Sequence, residues 1–495
     1  MPQFDGVGLT KELILGVDVG TSSVKALFID LAGNILRRAE VKHVTKTTRK
    51  AYAEQDAHDY LAGLQKISIE NADLISDVIA IGLSGHTPSV VCIDGAGNPI
   101  RPVMTWQDNR STLEADALAE RFANPLSTVG TSLPWAASAC AAKLFWLSIN
   151  EPDTKAKTRW VLQPKDFVGF HLTGNAISDP WSTKGICNVI SRSPISEVLD
   201  FIGWGPEICP DLMDGYQSRG AVSIEAARHF KLPVGIPVSV GWSDAMCGMV
   251  AMGVMTEPSS FIITGTSAIV GASSSTPPKD GGGLYVIPET CAPLAVTYGP
   301  TQSSGSSVEW AASLLGVDSD EFIDLALMSK STDLPIYLPY IDGERAPIWR
   351  TDLRGGLYSI SISSTREDLA ASVLEGISLA ERQVISIAET LNGSQAQAIK
   401  LGGHAGNDER GESVRLRTLG RAVERFVDTD TTNRGSAILA HAVVTGSLQE
   451  SVKALSFKPV RIEPSESDQL YAEKKNREFL LLQAQAIAYA DFRRG

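Results

Sequence analysis

Two carboxylates and two small-residue turns are the parts of this chain whose types and spacing suit chemistry. Gly20-Thr21-Ser22 lies between apolar runs at Leu13–Val17 and Val24–Asp30, and Asp18 closes the first run. A tight turn of Gly, Thr and Ser presents backbone N–H groups and hydroxyls on one side, which suits phosphate oxygens. A carboxylate such as Asp18, at the end of a buried strand, can hold a hydrated magnesium ion. The plainer reading is a hairpin with a turn-forming Asp. The pattern recurs about half the chain later, where Gly265-Thr266-Ser267 lies between Phe261–Thr264 and Ala268–Val270. A third Gly-Thr-Ser, at Gly130, has no flanking strands, so the tripeptide alone means little. Strand, turn and strand once per half point to two related lobes.

Three further stretches carry candidates. In Ile399–Asn407 a strand runs into Gly402-Gly403 and then a helix, which lets a flat ring or a phosphate approach the backbone. Asp244, in Gly241-Trp242-Ser243-Asp244-Ala245, follows a strand among small residues at the lobe boundary, a preferred place for ligands. Its structural alternative is a helix N-cap. Trp106-Gln107-Asp108-Asn109-Arg110 sets an aromatic beside polar groups, fit either for a polyhydroxy ligand or for an Asp108–Arg110 ion pair.

The elements that must hold these residues follow from periodicity. Short connections make the first three strands an antiparallel meander. Ser111 with Glu114, and Ser364 with Glu367, have capping-box spacing. After the second, Leu369, Val373, Ile377, Ala380, Val384, Ile387 and Leu391 form one apolar stripe. A last helix is expected over about 467–492, and the lobe boundary near Gly248. Strands mixed with helices in both halves give an α/β protein of two lobes.

Composition narrows the function. With 495 residues and 43% of them apolar, the chain can build two or three cores. Its 57 acidic against 44 basic residues leave a net charge of −13, which disfavours nucleic acid and anionic membrane surfaces. Six scattered cysteines without a CxxC pair suggest neither zinc nor a disulfide framework and fit a reducing cytoplasm. The first residues carry charges and read as no secretory signal, and no apolar stretch is long enough to span a membrane. P-loop and Rossmann signatures are absent.

Taken in order, the segments Gly16–Asp30, Gly82–Ile100, Thr105–Arg110, Gln163–Gly174, Gly241–Gly248, Ile263–Ala268, Pro339–Trp349, Leu374–Ser378 and Leu401–Asn407 resemble the FGGY carbohydrate kinases. Within that family the likeness is greatest to xylulokinases and other pentulose kinases, through Glu54-Gln55-Asp56, Lys143–Trp146 and Pro164–Phe167. The resemblance implies a two-lobed actin-like, ribonuclease-H-like ATPase fold with the active-site cleft between the lobes. It assigns 11–248 to a sugar-binding lobe, 249–460 to a nucleotide-binding lobe and 461–495 to a C-terminal helix. It further implies ATP and magnesium as cofactors, with phosphorylation of a primary hydroxyl of a ketopentose such as D-xylulose. Another ketose or polyol (ribulose-, glycerol- or erythritol-like), a non-catalytic actin-like ATPase and a silent sugar sensor are the alternatives. A cytoplasmic enzyme is expected, and a homodimer is compatible with it.

Residue by residue, the likeness makes Asp244 the catalytic base, also facing the sugar, and Asp18 the magnesium-side carboxylate. Thr21, Ser22, Gly265 and Thr266 match the phosphate turns, and Gly305, Gly402, Gly403 and Asn407 the nucleotide pocket. Trp106, with His86, Thr87 and Asp108, is placed at the sugar. Gly85-His86-Thr87-Pro88-Ser89 stands where xylulokinases have Gly-Gln-Met-His-Gly, Ala245-Met246 where they have Asn-Ala, and His404 where they have a small residue. The first two departures predict looser sugar selection, and the third lies in the nucleotide loop.

Overall fold

The computed structural model describes residues 12–428 and 430–494, the Asn407 side chain excepted. All seven residues of the first strand, Leu13–Val19, are buried, as a strand with neighbours on both edges and both faces requires. It pairs antiparallel with Ser23–Asp30 and parallel with Val78–Gly85. Ile35–Lys42 completes the expected meander. Beyond Val78–Gly85 the sheet continues through Pro237–Ser239 to Ser218–Ala221, while Trp242–Ser243 also pairs with Val78–Gly85.

The second sheet repeats this plan. Ser260–Thr264, Ala268–Ser274 and Ala295–Pro300 form an antiparallel meander, extended by Tyr285–Ile287. Ser260–Thr264 then pairs parallel with Ala398–Gly403, which pairs parallel with Ala422–Arg425. An antiparallel strand, Val460–Ile462, closes the edge, as Ser218–Ala221 does in the first sheet. The repeated hairpins therefore belong to two sheets of the same topology.

By contacts the chain divides into two compact units. One ends at Gly253 but regains Thr432–Ser456, and the other holds Val254–Thr431 and the residues from Phe457 onward. The reading from sequence runs the second lobe unbroken to residue 460. The return has a steric cause: a Cβ at Gly82 would lie 1.7 Å from the Ser436 carbonyl oxygen, and one at Gly16 2.5 Å from that of Asn433. These strand glycines are the seat of the helix Thr431–Thr445, whose Ala437 and Ala440 are fully buried.

Both expected capping boxes are corrected. Ser111 precedes the helix Thr112–Arg121, but its hydroxyl makes no cap bond. Ahead of Arg366–Asn392 the box is one residue later: Thr365 and Asp368 exchange the reciprocal bonds. That 27-residue helix buries Val373, Ile377, Ala380 and Val384 of the predicted stripe, leaves Leu369, Ile387 and Leu391 part-buried, and adds Ala370, Leu379, Ile385 and Ala388. The last helix spans Glu466–Arg494. No helix among the described residues is long and apolar enough to cross a membrane.

Candidate functional site

In the first unit strand register sets the segments that carry the candidate carboxylates side by side. Asp18 pairs across to Ser84, and Ser84 to Trp242, so three parallel strands end side by side. Asp244 comes two residues after Trp242, as the first residue of the helix Asp244–Ala251. The carboxyl ends of parallel strands are where open α/β sheets bind ligands. Ser243, and not Asp244, is the N-cap, its hydroxyl accepting from the Met246 amide. With the capping role taken, the part-buried Asp244 carboxylate accepts only a 2.7 Å bond from the Ala245 amide among the bonds described. Burial pushes its pKa up to about 6; the Ala245 bond and the charge of Lys184 pull the other way but do not overcome burial.

The Gly20–Ser22 turn is gripped from the protein side. The Gly20 amide closes it onto the Ser23 carbonyl at 3.0 Å. His43 Nε2 lies 3.1 Å from the Gly20 oxygen, and Gln55 Nε2 donates to the Thr21 oxygen at 2.6 Å. Gln55 is buried and also accepts from the Tyr60 hydroxyl. Trp106 donates its indole N–H to Thr21 Oγ1 at 2.9 Å. Sequence reasoning quoted Gln55 only as part of a family word, and gave His43 no role.

Among the expected sugar contacts, Trp106 keeps 38% of its surface exposed. Asp108 is corrected: it is fully buried, and the ion-pair alternative holds. Its Oδ1 accepts from Arg110 Nε at 2.9 Å, and its Oδ2 from the Ala53 amide at 2.8 Å and Arg110 Nη2 at 2.6 Å. Arg110 is also stacked on Tyr52 and paired with Glu54. His86 is fully buried, with Nδ1 2.8 Å from Ser89 Oγ, and Nε2 has no partner among the described residues. Burial, with the neighbouring charges of His43 and Lys143, lowers its pKa to about 3, so the ring is neutral. Thr87 is part-buried beside it. Lys143, another residue without an assigned role, is wholly buried and donates to the carbonyls of Pro88 (2.9 Å) and Thr105 (2.6 Å), tying the His86 loop to the Trp106 loop.

The second unit presents a cavity of about 570 Å³. Gly265, Thr266, Gly305 and His404 line it, together with apolar Ile323, Leu374, Ile377 and Val414. Here backbone bonds hold the turn itself, and the Thr264 hydroxyl ties the strand before it to Gly402 and Ala405. The amides of Gly305 and Ser306, opening the helix Gly305–Leu315, donate to the oxygens of Gly265 and Thr266, both at 3.0 Å. A Cβ at Gly305 would lie 2.7 Å from the Gly265 oxygen. Gly402 accepts from Thr264 Oγ1 at 3.2 Å, and that hydroxyl in turn accepts from the Ala405 amide at 2.7 Å. Gly403, at φ +75°, sits where a Cβ would be 2.1 Å from the Thr264 oxygen. Two arginines in the lining are committed, Arg410 to Asp408, Asp320 and Asp324, and Arg415 to Glu381. Asn407 ends the short helix His404–Asn407, and its side chain lies outside the described residues.

A small-residue turn beside apolar walls, in one unit, and a carboxylate at a strand end with another opening a helix, in the other, agree with the likeness to known proteins. The N-terminal domain of the FGGY family of carbohydrate kinases matches residues 13–251, and its C-terminal domain residues 260–443. The chain belongs to the FGGY family of carbohydrate kinases. It is an ATP-dependent sugar kinase. The xylulose kinase of Lactococcus lactis is 26% identical over 413 residues, covering 80% of this chain and 81% of that one. Among solved structures, a xyloylose kinase from Brucella ovis aligns with a TM-score of 0.88 at 24% identity, over 97% of this chain and 100% of the other. A gluconate kinase from Lactobacillus acidophilus aligns with the same score at 19% identity and the same coverage. In this kinase Gly265, Thr266, Gly305, Gly402, Gly403 and Asn407, expected at the nucleotide, belong to the second unit, whereas Thr21 and Ser22 belong to the first, with the positions expected at the sugar.

Proposed function

We propose that this kinase transfers the γ-phosphoryl group of ATP to a primary hydroxyl of a ketopentose such as D-xylulose. The observation that carries the reading is the strand-end rung of Asp18, Ser84 and Trp242, with Asp244 two residues beyond it. Asp244 takes the proton of the attacking hydroxyl. A base with a pKa of about 6 is ionised at neutral pH yet still basic enough to accept a proton, which suits general-base work. Asp18 is the carboxylate on the magnesium side. It is 6% exposed at its strand end. One carboxylate with ATP phosphates is the donor set magnesium favours, so the residues fit. When bound, the ion neutralises phosphate charge. The second-unit cavity, with the Gly265 turn in its lining, takes the nucleotide, and positioning supplies most of the catalysis.

Support for the ketopentose comes from the names of the relatives and from the pentulose-kinase words of the sequence. A second reading, another ketose, a polyol or an aldonate, draws on two observations. Asp108 is spent on Arg110, and His86 is enclosed with Nδ1 at Ser89, which leaves few polar groups to select a sugar. ATP consumption across D-xylulose, D-ribulose, gluconate, glycerol and erythritol tests both. Turnover of D-xylulose at least tenfold above the rest supports the first reading, and a preference for gluconate or a polyol overturns it.

A further inference from the structure

The bonding around Thr21 sorts by sign. Its carbonyl accepts from Gln55 Nε2 at 2.6 Å and from Thr45 Oγ1 at 3.4 Å. Its hydroxyl oxygen accepts from the Trp106 indole at 2.9 Å. An indole N–H can only donate, and a hydroxyl has a single proton to give. Once the indole fills an acceptor site on Oγ1, that proton turns elsewhere, and among the described residues neither it nor the Thr21 amide meets a protein acceptor. The acceptors of Thr21 are thus met from inside, and its donors are left for a ligand rich in acceptors. Gln55 is buried and held by Tyr60, so the arrangement is braced from behind.

We propose that Trp106 is a positioning residue for the nucleotide as well as a surface for the sugar. Its indole N–H sets the Thr21 hydroxyl so that the proton points to a phosphate oxygen of ATP. This rests on the assignment of the Gly20–Ser22 turn to phosphate. Without the N–H the hydroxyl gains rotational freedom and can turn its proton into the protein, and the phosphate loses an aligned donor. Trp106 lies 85 residues from Thr21 in sequence, so the aromatic of the sugar side and a donor of the phosphate side become one rigid piece.

A double-mutant cycle on the full chain tests this, with KM for magnesium-ATP and KM for the preferred sugar as readouts. Thr21→Val and Trp106→Phe should each raise KM for ATP about fivefold, the usual worth of one hydrogen bond. If the two residues act through one bond, the double variant should stay near fivefold, well short of the roughly 25-fold of independent sites. Thr21→Ser keeps the hydroxyl and should restore an ATP KM close to wild type. Thermal midpoints within about 2 °C of wild type would exclude a merely structural effect. A Trp106→Phe variant that changes only the sugar KM, or additive effects in the cycle, would overturn the proposal. If Thr21→Val alone leaves the ATP KM unchanged, the assignment of the turn to phosphate has failed instead, a result readily told apart from the first two.

Discussion

The two Gly-Thr-Ser turns have the same local sequence and the same place in their sheets, yet they are held by different means. The turn at Gly20 has backbone bonds from Gly20 to Ser23 and from His43 to Ser22, and is held besides by side chains from three separate segments, His43, Gln55 and Trp106. The turn at Gly265 is fixed by the first amides of the helix Gly305–Leu315 and by the close approach of Gly403 to Thr264. A side-chain brace can be removed one bond at a time. The backbone bonds of the second turn have no side chain to delete and are disturbed when something is pushed into them. The first turn can therefore carry specificity that varies with sequence, whereas the second demands small residues at fixed positions.

Several experiments break or sharpen this contrast, beginning with one that should touch neither turn. Asp244→Asn leaves both braces intact, so KM for ATP should hold while turnover falls by about 10²-fold or more. Steady-state kinetics with the preferred sugar measure it. A drop confined to KM would remove Asp244 from the chemistry.

The pH profile tests the same group. Asp244 works deprotonated, and burial raises its pKa to about 6, so kcat/KM should fall tenfold per unit as pH drops below about 6. Stability runs the opposite way. A carboxyl whose pKa is raised by folding stabilises the protein fully below its unfolded pKa and loses that contribution as pH rises through about 6. Asp244→Asn should consequently melt about 2–4 °C above wild type at pH 8, by scanning calorimetry. An unchanged or lower midpoint would mean the charged form is not strained where it sits.

For the backbone-braced turn, Gly403→Ala combines a left-handed φ with a Cβ 2.1 Å from a carbonyl oxygen. A loss of about 1–3 kcal/mol is expected from overpacking, together with at least tenfold weaker ATP binding by calorimetric titration. Normal nucleotide affinity in that variant would detach the Gly402-Gly403 loop from the pocket.

The smallest effect belongs to the side-chain brace. Gln55→Leu removes the donor to Thr21 and the acceptor of the Tyr60 hydroxyl while nearly keeping the volume, and should cost about 1–3 kcal/mol of stability. KM for ATP should rise severalfold with kcat little changed. Equal losses in kcat and kcat/KM would instead mean that the turn acts in the transition state alone.

Legibility in the sequence followed the range of each interaction. The strand, turn and strand around Gly20 and Gly265, and the carboxylates at strand ends, are patterns within a dozen residues, and both were readable. The capping boxes were misplaced because local spacing allows more than one hydroxyl to serve: Thr365 stands next to Ser364, and the Ser111 side chain is simply not used. Asp108 carried two readings of equal standing, and the choice depended on the Ala53 amide, 55 residues away, which joins Arg110 in occupying the carboxylate. The roles of Gln55, His43 and Lys143 had no local signal. A lone polar residue in sequence does not say which distant carbonyl it will reach.

By itself the sequence determined the class of chemistry. That class, phosphoryl transfer onto a sugar, is what the ordered set of motifs implies through its resemblance to the FGGY kinases; the hairpins, Asp18 and Asp244 taken singly leave plainer structural readings open. Tertiary structure decided which groups remain available to do it. The register of three strands set Asp18, Ser84 and Trp242 on one rung. Burial moved the pKa of Asp244, and pairing withdrew Asp108. The strand glycines drew Thr432–Ser456 back to the first unit. Each of these outcomes depends on the desolvation and hydrogen-bond partners of a group. Those are properties of what surrounds a residue in space, set by segments tens to hundreds of positions away.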